Sequence, residues 1–79
     1  MNYNAKDEEL IKKYPHFERM LDEYFELSTK IEKLNEFFTT SMFSKLSEIE
    51  KDLLTEQGEA MNKYLEILNK RIEYIREKK

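Results

Sequence analysis

Apolar side chains along this chain recur at intervals of three and four and never run more than two together. From Met20 the series Tyr24, Leu27, Ile31, Leu34 and Phe38 keeps that spacing without a break, and Phe17, Leu21 and Phe37 widen it. One such stripe fits a helix of 3.6 residues per turn, so residues 15–39 are predicted to form an amphipathic helix about 36 Å long. Thr39, Thr40 and Ser41 mark its end, because their hydroxyls compete with the backbone for hydrogen bonds. Residues 40–46 then read as a short connection. Beyond it Leu54, Gly58, Met61, Leu65, Leu68, Ile72 and Ile75 repeat at four and three, which predicts a helix over 47–77, about 45 Å long.

Local signals place the helix ends. Ser47 followed by Glu50 is a capping box, in which the hydroxyl serves the free amides of the first turn and the carboxylate reaches back to the cap amide. Arg71, Arg76, Lys78 and Lys79 suit the negative end of the same helix. Near the amino terminus Asn4 is placed to cap a short helix over about 4–14, with Asp7 in its first turn and Lys12 and Lys13 in its last. Pro15 ends that segment, and its fixed φ suits the first turn of the next helix. With one glycine, one proline and no alternating β-branched run, strands are not expected. The expected fold is all-α: a single domain over 1–79, with a short amino-terminal helix or arm and two long antiparallel helices forming a hairpin.

The last helix carries more apolar surface than one partner covers. Beside its main stripe lies a second file of Ile49, Leu53, Ala60, Tyr64, Ile67 and Tyr74. One antiparallel neighbour buries one file, so the second file, and the overhang of the longer helix, call for another chain. The expectation is a homo-oligomer, a helical bundle whose interface includes Leu53, Leu54, Gly58, Met61, Tyr64, Leu65, Leu68 and Ile72. Size supports it, since a core in 79 residues supplies only a few kcal/mol and small domains lean on other supports. No cysteine is present, and a lone His16 without a Glu-x-x-His motif makes no metal site, so neither disulfide, metal nor cofactor is expected.

Fourteen lysines and arginines against 17 aspartates and glutamates give a net charge of −3, which argues against a DNA or RNA polymer as partner. A small anion needs only a local cluster of donors. The polar, acidic start lacks the pattern of a secretion signal, and nothing approaches a membrane span, so a cytoplasmic protein with no membrane partner is expected. No nucleophile and base are arrayed around His16, which argues against an enzyme. Gly58 is unfavourable inside a helix by about 1 kcal/mol relative to alanine, and suggests a close helix approach or a hole for an aromatic ring.

The best candidate site is the connection before the last helix. Phe43 offers a flat ring, Ser44 and Ser47 hydroxyls, and Lys45 and Lys51 ammonium groups, beside a helix amino terminus that attracts phosphate. Stacking plus amide and lysine donors is the chemistry a nucleotide requires. The competing reading is that Phe43 plugs the end of the hairpin core.

The segments ERMLDEYFELSTKIEKLNEFF and FSKLSEIEKDLLTEQGEAMNKYLEILNKRI resemble a widespread family of small helical-hairpin proteins of bacteriophages and prophages, over residues 18–72. More distantly, KLSEIEKDLLTEQGEAM is similar to the Leu-Ser-x-x-Glu helix of the phage anti-CBASS sponges, helical oligomers that sequester cyclic oligonucleotide immune signals without cleaving them. That resemblance puts the base-stacking aromatic on Phe43. It puts the ligand-contacting lysine on Gly58, which departs from the pattern, so Lys45 or Lys51 would supply the charge, or the ligand would be a trinucleotide or a cyclic ADP-ribose isomer in place of a cyclic dinucleotide. The resemblance implies a phage anti-defence protein acting in the infected host cell. The alternative is a helical oligomer that occupies a host or phage protein.

Overall fold

A computed structural model describes residues 5–77, and of Ala5 and Lys6 the backbone alone. The proposed cap Asn4 and the terminal Lys78 and Lys79 lie outside the described residues. Four helices follow one another: α1 Ala5–Lys13, α2 His16–Phe38, α3 Ser41–Ser44 and α4 Glu48–Glu77, with no strand among the described residues. α2 and α4 form the hairpin, a rod of 50 × 19 × 15 Å.

The helix ends follow side-chain chemistry. Pro15 holds φ −55° and ψ −31° at the start of α2, values its ring already favours. At the other end Thr39 and Thr40 donate their hydroxyls to the carbonyls of Glu36 and Phe37, both at 2.7 Å. Thr40 Oγ1 then accepts from the Phe43 amide at 3.3 Å and starts a further helical turn, so α3 occupies part of the predicted connection. Ser47 Oγ accepts from the Glu50 amide at 3.2 Å, which opens α4 where the capping box places it.

The core lies at the end of the rod away from the α2–α4 turn. Phe17 and Leu68 are fully buried there, with Met20, Leu21, Ile72 and Ile75 around them and Leu10 added from α1. Leu68 and Ile72, expected at an oligomer interface, therefore sit inside the chain's own core. Leu54, Gly58, Met61 and Leu65 are half-buried, whereas Leu53 and Tyr64 are exposed. Tyr64 donates its hydroxyl to Glu23 on α2, so it closes the hairpin edge.

The chain's own α1 lies against the end of α4. Thirty residues against 23 leave α4 longer by about 10 Å, and the nine residues of α1, about 13 Å, are long enough to cover it. α1 packs on both long helices. Arg76 Nε and Nη2 donate to the two Asp7 oxygens at 3.0 and 2.9 Å, fastening the arm to the end of α4.

Gly58 stands where α4 meets Leu34 and Phe38 of α2. A Cβ there would lie 3.4 Å from Leu34 Cδ2 and 3.8 Å from Phe38 Cε2, ordinary van der Waals contact. A methyl group fits, so the helix propensity of alanine decides the sign. Gly58→Ala is expected to stabilise the fold by about 0.5–1 kcal/mol, raising Tm by roughly 2–8 °C in a thermal melt followed by circular dichroism. A lowered Tm would mean that the two helices require the bare backbone.

Candidate functional site

At the turn of the hairpin, Phe43 is half-buried and packs edge-on against Phe38 and Phe37, with centroids 5.0 and 6.1 Å apart. Its ring closes the end of the aromatic layer between the long helices. Lys51 Nζ lies 5.9 Å from that ring's centroid and 3.6 Å from a Glu48 carboxylate oxygen. Ser44 donates its hydroxyl to the Ser41 carbonyl at 2.6 Å, and the Ser47 hydroxyl is taken up by the cap. Lys45 is exposed. The structure thus brings Phe43 and Lys51 together and engages both serines with the backbone.

A cavity of about 420 Å³ does open at this end, lined by Phe38, Phe43 and Gly58 with Asn35, Thr55, Glu59 and Asn62. Of the five residues expected to hold a ligand, Phe43 alone lines it. Glu59 sets a carboxylate in the wall, which opposes an anionic guest. A shallower depression on α2 holds two carboxylates, Asp22 and Glu26.

The opposite end of the rod is chemically different. A cleft of about 400 Å³ opens between the start of α2 and the last turns of α4. Its apolar lining is Met20, Ile67 and Ile75, its rings are Tyr14, His16 and Tyr74, and its cations are Lys70 and Arg71. No carboxylate is among these residues. The Tyr14 and His16 rings meet edge-on at 6.3 Å, and Lys13 Nζ lies 5.6 Å from the Tyr14 centroid.

Lys70 Nζ is 3.2 Å from Glu66 Oε1. The hydrogen bond from Lys70, with the nearby charge of Lys63, holds the exposed Glu66 carboxyl below its ordinary range. Rings over an apolar floor, with a guanidinium and an ammonium at the rim, suit a flat aromatic group carrying phosphate. The cleft volume falls within the range of small-molecule pockets.

Sequence reasoning did not find this cleft. Arg71 read as part of the cationic end of one helix, Lys70 as the partner of Glu66 in a solvated pair and Tyr74 as a member of the second file, while Tyr14 and His16 read as residues flanking a proline. More than 50 positions separate the two groups, and only the hairpin register sets them abreast. Among the described residues there is no cluster of three or more metal-ligating side chains, and no helix is long and apolar enough to cross a membrane.

Fold and cleft together define a small all-helical hairpin with an aromatic, cation-rimmed recess at its base. The chain belongs to the Sequestin family, whose model matches residues 14–74. That span contains every lining residue of the cleft except Ile75. The chain is also similar to an uncharacterized 7.5 kDa protein from the denB–rIIB intergenic region of Enterobacteria phage T4, 39% identical over 54 residues, which are 68% of this chain and 84% of that protein. No solved structure matches. The likeness to a small phage protein family rests on these two findings.

Proposed function

We propose that this protein is a phage-encoded anti-defence protein that binds a cyclic nucleotide immune signal and sequesters it without cleavage in the infected host cell. The observation that carries the reading is the base cleft, where tyrosine rings and two cations converge with no carboxylate among the lining residues. Tyr14 and Tyr74 supply faces for a base, and Lys70 and Arg71 supply charge-assisted donors for phosphate. The family's name, Sequestin, points the same way. No carboxylate in the lining orients His16 as a base, so the cleft offers binding groups without a hydrolytic pair. This reading favours the base of the rod over the hairpin turn as the site, on the lining residues of the cleft.

Titration calorimetry against cyclic dinucleotides, cyclic trinucleotides and cyclic ADP-ribose isomers tests this directly. At least one class is expected to bind. Tyr14→Leu and Lys70→Glu are each expected to weaken binding about tenfold or more, since a lost stacking ring is worth ~1–3 kcal/mol. Phe43→Leu, at the far end, is expected to leave affinity unchanged. Loss of binding in Phe43→Leu with none in Tyr14→Leu would return the site to the turn. A folded protein that binds none of these ligands would favour the alternative, a hairpin that occupies a host or phage protein.

A further inference from the structure

One face of α4 remains uncovered by α1 and α2. Leu53, Ala60, Ile67 and Tyr74 stand on it at successive intervals of seven, and Leu53, Ile67 and Tyr74 are 59%, 44% and 66% exposed. A seven-residue repeat keeps a seam on one side of a helix that packs against another helix. Glu56 and Arg71, both exposed, lie in the same stripe, between Leu53 and Ala60 and between Ile67 and Tyr74.

We propose that this face pairs antiparallel with α4 of a second copy, in the register that sets Leu53 against Tyr74, Glu56 against Arg71 and Ala60 against Ile67 of that copy. The sequence of the stripe is complementary to its own reverse. Small meets large at Ala60 and Ile67, apolar meets apolar at Leu53 and Tyr74, and opposite charges meet between them. A parallel pair would instead place Glu56 on Glu56 and Arg71 on Arg71, where like charges repel.

The wider charge pattern agrees. From Glu48 to Glu59 α4 carries five carboxylates and one lysine, and from Ala60 to Glu77 four cations and three carboxylates. Antiparallel pairing lays the acidic half on the more basic one. Lys63 falls beside the two-fold axis, where Glu66 of its own chain offsets its charge.

The pairing has a consequence for the cleft. Ile67, Arg71 and Tyr74 line its open side, so Leu53 and Glu56 of the second copy stand at its mouth. Each cleft is thus completed by the other copy. Arg71 has five N–H donors, enough to serve a carboxylate and a phosphate together.

The test uses the ligand-free full chain, so it stands apart from the question of what the cleft binds. Light scattering is expected to give twice the 9.7 kDa chain mass at micromolar to millimolar concentration. Glu56→Arg is expected to raise the dimer dissociation constant about tenfold or more, and Glu56→Arg with Arg71→Glu to restore it. Circular dichroism checks that helix content is unchanged in each. The chain lacks cysteine, so Ala60→Cys with Ile67→Cys should oxidise to a covalent dimer, while Ala60→Cys alone should not. A monomer at every concentration overturns the proposal, and so does cross-linking of Ala60→Cys alone, which marks a parallel pair. A larger assembly in which the double-cysteine variant still cross-links retains the pair.

Discussion

Phe17→Ala is expected to cost about 3–5 kcal/mol of folding stability. The ring is 0% exposed and lies in one cluster with Leu10 of α1, Met20 and Leu21 of α2, and Leu68, Ile72 and Ile75 of α4. It therefore belongs to the section where all three longer helices share a core. Removing it deletes the apolar burial and leaves a cavity that straight helices close poorly. A domain of this length has a net stability of roughly 4–12 kcal/mol, so the loss is a large share of the total. Urea unfolding followed by circular dichroism measures it. Phe25→Ala, at a ring 42% exposed, is the control and should change stability by about 0.5 kcal/mol or less. Equal effects at the two positions would place the core elsewhere.

Arg76→Ala is expected to destabilise the fold by about 2–3 kcal/mol. Its guanidinium makes two hydrogen bonds to Asp7, whose side chain is 4% exposed while that of Arg76 is 40% exposed. Water already reaches one side of the arginine, which sets the value at the low end for a buried pair. The cost comes mainly from removing two charge-assisted hydrogen bonds to a desolvated carboxylate. Asp7→Leu combined with Arg76→Leu removes both charges and is expected to recover most of the loss, with a coupling of about 1–2 kcal/mol in the double-mutant cycle. Additive single effects in the same urea experiment would show that the pair does not hold α1 in place.

The two long helices were legible because each buries a stripe, and a stripe at three and four leaves a periodic trace in the sequence. Ser47 with Glu50 and the break at Pro15 were equally readable, since their causes are local. The turn of helix at Ser41–Ser44 was not, because Thr40 both ends one helix and caps the next. Periodicity also ranks Leu68 and Leu54 alike, although one is fully buried and the other half-buried. What separates them is the cluster at the base, where Leu68 is grouped with Phe17, Met20 and Leu21 of α2 and Leu10 of α1. At the turn, spacing brought hydroxyls near Phe43 but did not show that backbone groups would use them. The base cleft depends on which residues of two distant segments sit abreast, information that no single helix pattern contains.

Recovery of the captured signal tests the central claim most directly. The protein, in excess over a cyclic nucleotide that it binds, is passed through a filter that retains it, and the retained fraction is then heat-denatured and chromatographed. The free signal is expected to fall as protein is added, and the released ligand to be chemically intact. An undiminished free signal, or recovery as a linear or hydrolysed product, would contradict sequestration.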